Sequence, residues 1–395
     1  MKKTMILAVT ALVAVLMFVA CDMSGNQNEE ETGDITAEGS TLQAQLDWLR
    51  GNAQSGRQHI VNIGTGESIA PQSLVFGGRT VTIILRGSGE ISLAENGSLF
   101  SVGSGVTLRL DGNITLRGRD QNNAPLVLVE QGGTFVMEEG VVTGNINTGS
   151  LGGGGVRVNG NFTMNGGSVY DNRSAYGGGV SVVYGAIFAM HGGEIIGNTA
   201  TIVDWTGGGG VNVAGTFNMH GGSISGNTSV FIANAPGVTN PNIQARAGGV
   251  FVGNTGTFTM HSGEIYSNTA SSATTGAGGG GVFIDCGNAR GGVFNMRGGS
   301  IHDNISSGGP WSQGGGVSVN GYHDYGGTFR ISGGIVSGSN RHMTVLVYGT
   351  AVAEYGTFNA AGVFNRTGEL PTGSIFDTLE VVNGVMVEQP MAAIR

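Results

Sequence analysis

The 395-residue sequence predicts an all-β solenoid, a single chain wound into stacked coils of short strands. Three observations carry this. The motif Phe-x-Met-x-x-Gly recurs from Phe135, Phe162, Phe188, Phe217, Phe258 and Phe294, and Phe329 repeats it with Ile331 in the methionine place. Seven residues after each Phe stands a β-branched residue (Val142, Val169, Ile195, Ile224, Ile265, Ile301, Val336), and ten residues after it stands Asn145, Asn172, Asn198, Asn227, Asn268 or Asn304, with Ser339 closing the series. The composition is 76 Gly, 7 Pro, 39% hydrophobic and 11% charged residues, which excludes collagen triplets and is too apolar for a disordered chain. Phe-to-Phe distances range from 26 to 41 residues while the Phe-to-Asn interval stays at ten, so insertions fall only at two corners of a fixed coil. A hairpin sheet has no reason to keep one invariant segment in this way, whereas a solenoid coil does.

In chain order, residues 1–20 join a basic Lys2-Lys3 start to an apolar stretch that ends in small residues before Cys21. This resembles a bacterial lipoprotein signal, in which the new N-terminal cysteine, here Cys21, is acylated; Phe18 replaces the usual Leu. The alternatives are a plain secretory leader or a transmembrane anchor, although the stretch is shorter than the ~20 apolar residues that cross a bilayer. With Cys21 assigned to lipid, Cys286 has no intramolecular partner and no disulfide framework exists. Residues 21–39, with Glu29, Glu30 and Glu31, read as a solvated acidic tether. Residues 40–61 read as an N-terminal cap: Ser40 and Gln43 form a capping box, Leu42, Leu46 and Leu49 lie at helical spacing beside Trp48, and Gly51 is the expected stop. A helix this short is marginal alone, so its apolar face is expected to cover the open end of the solenoid; binding a partner is the competing role.

The coils occupy residues 62–340. The early ones are degenerate, with strands expected at 81–85, 98–102, 106–110, 114–116 and 126–129 between Gly, Asn and Asp turns. In the later coils a glycine cluster leads into a valine pair, such as Val180 and Val182, which makes three short strands per unit. Coils stack at ~4.8 Å, so equivalent residues form ladders. Alternation sends Phe162, Phe188, Phe217, Phe258 and Phe294 with Met164, Met190, Met219, Met260 and Met296 inward, and Thr163, Ala189, Asn218, Thr259, Asn295 and Arg330 outward. The Gly five residues after each Phe is expected at positive φ. Asn172, Asn198, Asn227, Asn268 and Asn304 are expected to stack as turn amides bonded from coil to coil. Residues 341–395 read as degenerate last coils and a C-terminal cap, with an Asn383-Gly384 turn between β-formers.

Over 62–340, in units such as Gly153-Gly154-Gly155-Val156 through Phe162-Thr163-Met164-Asn165-Gly166-Gly167, the chain resembles the glycine-rich right-handed parallel β-helix repeat proteins of bacteria. The resemblance implies a single-stranded, right-handed parallel β-helix with three sheets, in keeping with the handedness rule for parallel crossovers. Families of this fold include pectate lyases and polygalacturonases, so a carbohydrate-active enzyme, a polysaccharide lyase or glycoside hydrolase, is the rival reading.

The residues argue against catalysis. The coils lack an Asp-Asp pair and a Gly-His-Gly, and their carboxylates are sparse. Glu194 and Glu264 share one repeat position two coils apart, ~9.6 Å for regular stacking, at the wide end of an inverting geometry. His191, His220 and His261 occupy one position in three consecutive coils and form a candidate metal stripe with those carboxylates, or simply a polar corner. Phe251 and Phe283 point outward on adjacent coils, as a contact patch or as a stack between rungs. The net charge of -9 speaks against a nucleic-acid partner. The expectation is therefore a lipid-anchored, monomeric protein of the bacterial cell envelope, at the outer membrane, cell surface or periplasmic face. It would need no cofactor and would serve a structural, adhesin-like or glycan- or protein-binding role. Recognition would lie on the inserted segments 228–249, 269–281, 286–293 and 306–316. An autotransporter passenger is a further rival, for which the chain shows no run of amphipathic membrane strands.

Overall fold

The computed structural model describes residues 33–202, 207–232, 244–273, 275–287, 290–309, 314–322, 324–337, 344–370 and 378–387. Cys21, the leader, most of the tether and Ser339 lie outside the described residues. The described chain is nearly all β and forms a right-handed parallel β-helix of about 10 turns. The Phe ladder runs in register from Phe135 through Phe162, Phe188, Phe217, Phe258 and Phe294 to Phe329. Its rings stack at 4.6 to 5.2 Å. The β-branched ladder runs from Val142 to Val336, and the valine pairs line a separate 10-stranded sheet. All three ladders point into one continuous core, where Phe, Met, Ile and Val are almost fully buried. Period-two alternation decides this: each strand buries one face on the core and leaves the other half-covered by the rungs above and below. Thr259, expected outward, is 8% exposed for that reason.

The glycine five residues after each Phe turns the chain from the Phe strand to the β-branched strand. From Gly140 to Gly334 these residues have φ between +78° and +109°. In the early coils the two strands fuse: Val81–Leu93 and Val106–Arg117 run unbroken round the same corner through Gly87, Gly89 and Gly112, so the separate strands expected at 106–110 and 114–116 are one.

Each unit was expected to hold three strands; five coils hold a fourth. Arg173–Ser174, Thr199–Ile202, Thr228–Phe231, Thr269–Ser272 and Ile305–Gly308 form a 5-stranded parallel sheet directly after the Asn ladder. The segments expected as free loops from 228 and 269 therefore begin as sheet. The corner before them is made by a left-handed residue ahead of each Asn, including Asp171, Ser267 and Asp303 at φ +52°, +54° and +52°.

Both ends of the helix are closed. The helix Leu42–Asn52 buries Leu42, Gln45, Leu46 and Leu49 against the first coil, and Trp48 packs on the same core. Its N-cap is Thr41, one residue later than expected, which accepts from Ala44 N–H at 3.2 Å. The Glu67 carboxylate accepts from Leu42 N–H at 2.8 and 3.0 Å, so the first coil supplies, from 25 residues on, the negative charge that the first turn lacks. Gly51 stays helical and the chain leaves at Ala53. Ile35–Thr36, expected in the tether, pairs in parallel with Arg57–Ile63 and so starts the sheet. Among the described residues no helix is long and apolar enough to cross a membrane. At the other end the pairing turns antiparallel. Val352–Phe358 pairs with Phe364–Glu369, and Thr378–Val382 pairs with both Gly334–Ser337 and Val385–Val387. Asn383 and Gly384, at φ +49° and +76°, make the expected tight turn.

Candidate functional site

The polar interior is the Asn ladder. Asn145, Asn172, Asn198, Asn227, Asn268 and Asn304 are all at most 1% exposed. From Asn172 to Asn268, each side-chain Nδ2 donates to the next Asn Oδ1 at 2.9 to 3.1 Å, and each main-chain N–H donates to that same oxygen. The remaining Nδ2 proton goes to a carbonyl of the preceding β-branched strand, as from Asn198 to Val169 O at 2.8 Å. The side-chain amides of this spine are bonded to protein throughout, so its work is to join coils.

His191, His220 and His261 form a stack on the outer corner, with ring centroids 4.8 and 4.5 Å apart and interplanar angles of 10° and 12°. The expected metal stripe does not form with Glu194 and Glu264: among the described residues no group of three or more His, Cys, Asp or Glu side chains is placed to hold a metal ion. Parallel rings present their faces to one another rather than converging nitrogens on a point. Partial burial holds the His220 and His261 imidazoles below their ordinary pKa. The neighbouring imidazole acts in the same sense, as does Arg297 beside His261. Glu194 and Glu264 are exposed and stand in register on either side of Ser223, as the repeat phase requires.

Phe251 and Phe283 do point away from the main core, but they are not an exposed patch. They stack at 6.0 Å and are 3% and 4% exposed, covered together with Ala247 as a second apolar cluster. The inserted segment that covers them carries Arg246, whose guanidinium lies 5.1 Å from the Phe283 ring centroid and pairs with Asp285 at 2.9 Å. Asn320 Nδ2 donates to the other Asp285 oxygen at 3.1 Å and lies 3.7 Å from Cys286 Sγ. Burial, reinforced by the Asp285 charge, pushes the Cys286 thiol pKa up, so this cysteine is a poor nucleophile in the folded chain. The pairing of insert and sheet spans 39 residues, too far for local pattern to signal it.

The corner between each valine pair and the next Phe is one of the two expected to vary, but its aromatic residues were not among the candidate site residues. It carries the exposed aromatic residues Tyr184, Tyr322 and Tyr348, at 71%, 62% and 62%. The signal was available in the varying distance between the valine pair and Phe. Comparison of the chain with family models, with curated proteins and with solved structures finds no match.

Proposed function

We propose that the chain is a lipid-anchored, extracytoplasmic β-helix of the bacterial cell envelope, held to its membrane through Cys21 and serving an adhesin-like role as a glycan- or protein-binding surface. One observation supports this above the rest. The ladders repeat without change through the coils, whereas the corners vary from three residues between Val158 and Phe162 to nine between Val319 and Phe329. Change is tolerated where side chains face solvent, since lengthening a loop costs only ~0.6 kcal/mol per doubling while a shifted rung would break every ladder. Surface proteolysis of intact cells, followed by a glycan and matrix-protein array with the released protein, tests both halves. Cleavage by external protease and retention of a ligand without turnover support the reading.

The enzyme rival rests on Glu194 and Glu264, which share an exposed ladder two coils apart. Cleavage of a polysaccharide that is lost in Glu194→Gln or Glu264→Gln would replace the binding role with a catalytic one.

A further inference from the structure

The corners between valine pair and Phe alternate in length. Five residues separate Val129 from Phe135, three separate Val158 from Phe162, five separate Val182 from Phe188, three separate Val213 from Phe217, and five separate Val252 from Phe258. The strands on both sides of these corners are in register, so the extra residues of each long corner have to project outward. Each long corner is a turn closed by a main-chain hydrogen bond: Gly133 N–H to Glu130 O at 2.9 Å, Ala186 N–H to Val183 O at 3.0 Å, and Gly256 N–H to Gly253 O at 2.8 Å. A short corner between two such turns is a recess, with its walls two coils apart, ~9.6 Å.

The first recess has a volume of about 490 Å³, with residues 159–161 as floor and residues 130–132 and 183–185 as walls. Its chemistry is specific. Tyr184 leads the second wall from the turn position before Gly185 and is 71% exposed, an uncovered aromatic face at the rim. Glu130 faces the floor, where Asn159 Nδ2 lies 3.4 Å from its carboxylate, a long and weak contact. Asn161 is exposed on the floor beside Asn159. The recess thus combines one aromatic face at its rim with the exposed Asn161 amide and the Glu130 carboxylate. That combination fits a ring carrying hydroxyls on its edge and C–H bonds on its face, and Glu130, the one charged residue lining the recess, repels an acidic ring.

We infer that the recess floored by Asn159 and Asn161 and walled by Glu130 and Tyr184 is a subsite for a neutral glycan. This rests on the binding role proposed above and gives it a place and a ligand class. Beyond Tyr184 the second short corner, 214–216, repeats the step at two coils' distance, so the chain of sugars would run along the helix axis with Tyr184 on the ridge between consecutive recesses.

The test uses the full processed chain. A glycan array is screened first, and cellopentaose, chitopentaose and maltopentaose are then titrated by calorimetry beside pentagalacturonate as an acidic counter-probe. A neutral glycan should bind and pentagalacturonate should not. Tyr184→Ala and Asn161→Ala should each weaken binding at least tenfold while the thermal midpoint stays unchanged, because both residues are exposed. A neutral glycan bound equally well by both variants would overturn the recess and leave the glycan-binding role standing. Preference for pentagalacturonate would overturn the ligand class. An array on which no glycan is retained would overturn both the recess and the glycan-binding role.

Discussion

Asn227→Ala should destabilise the solenoid by at least ~3 kcal/mol, the low end of the terms below. Asn227 is fully buried in mid-ladder. Its Nδ2 donates to Ile195 O at 2.8 Å and to Asn268 Oδ1 at 2.9 Å. Its Oδ1 accepts from Asn198 N–H at 2.9 Å and from Asn198 Nδ2 at 3.0 Å. Truncation removes all four bonds, each worth ~0.5–1.5 kcal/mol net, and strips the buried Asn198 N–H of its acceptor, which adds ~1–3 kcal/mol. Against a typical total of ~5–15 kcal/mol this is a large fraction. Because coils interact mainly with their neighbours, the loss should fall first on the rungs around Asn227 and split or shift the urea transition followed by circular dichroism. Asn165→Ala is the control. Asn165 is exposed, its side chain donates to Glu138 at 2.8 Å, and the loss of that side chain should stay within ~0.5 kcal/mol. A change below ~1 kcal/mol for Asn227→Ala would show that the amide spine is not what joins the coils.

Three further outcomes are expected. Gly193→Ala places a methyl group 2.6 Å from Gly167 O and 2.7 Å from Met164 Cε at φ +83°, so a loss of about 2 kcal/mol or more should appear as a lower thermal midpoint. His220 and His261 have folded pKa values below the ordinary ~6.5. The unfolded chain therefore binds more protons as pH falls below that value, and the stability these groups contribute is full above it and lost as pH drops through the folded values. The midpoint should fall on acidification, and His220→Asn, which interrupts the stack, should flatten that dependence; an equally steep fall in the variant would rule out the stack as its source. Cys21→Ser should release the protein from the membrane fraction or block its processing, and a variant that is cleaved normally yet stays membrane-bound would contradict lipid attachment.

Much of the fold was legible because the solenoid is read by counting. The Phe, Met, Ile and Asn positions recur at constant offsets, and alternation alone tells which of them face the core. The positive φ of Gly193 and its equivalents followed from the same phase. The candidate site was less legible. The histidine stack was placed correctly, but whether its rings and the carboxylates three residues on converge on one point is decided by side-chain geometry, which spacing does not encode. Tyr184 lies in a corner outside the motif, where only the difference in length between neighbouring corners marks it.

By itself the sequence determined the coil: one inward face per strand, one glycine corner, one amide per turn, each enforced by an identical residue on the next rung. What lies on the outside was decided by tertiary structure. Phe251 and Phe283 are buried because Arg246 and Ala247 return from an insertion to cover them. The helix starts at Thr41 under a carboxylate from Glu67, and the strands after the Asn ladder exist because their neighbours exist. The physical reason is one of range. A ladder repeats the same contact between equivalent residues and so leaves a period in the chain, whereas an insertion folding back over a sheet is a single contact between unlike segments that leaves none.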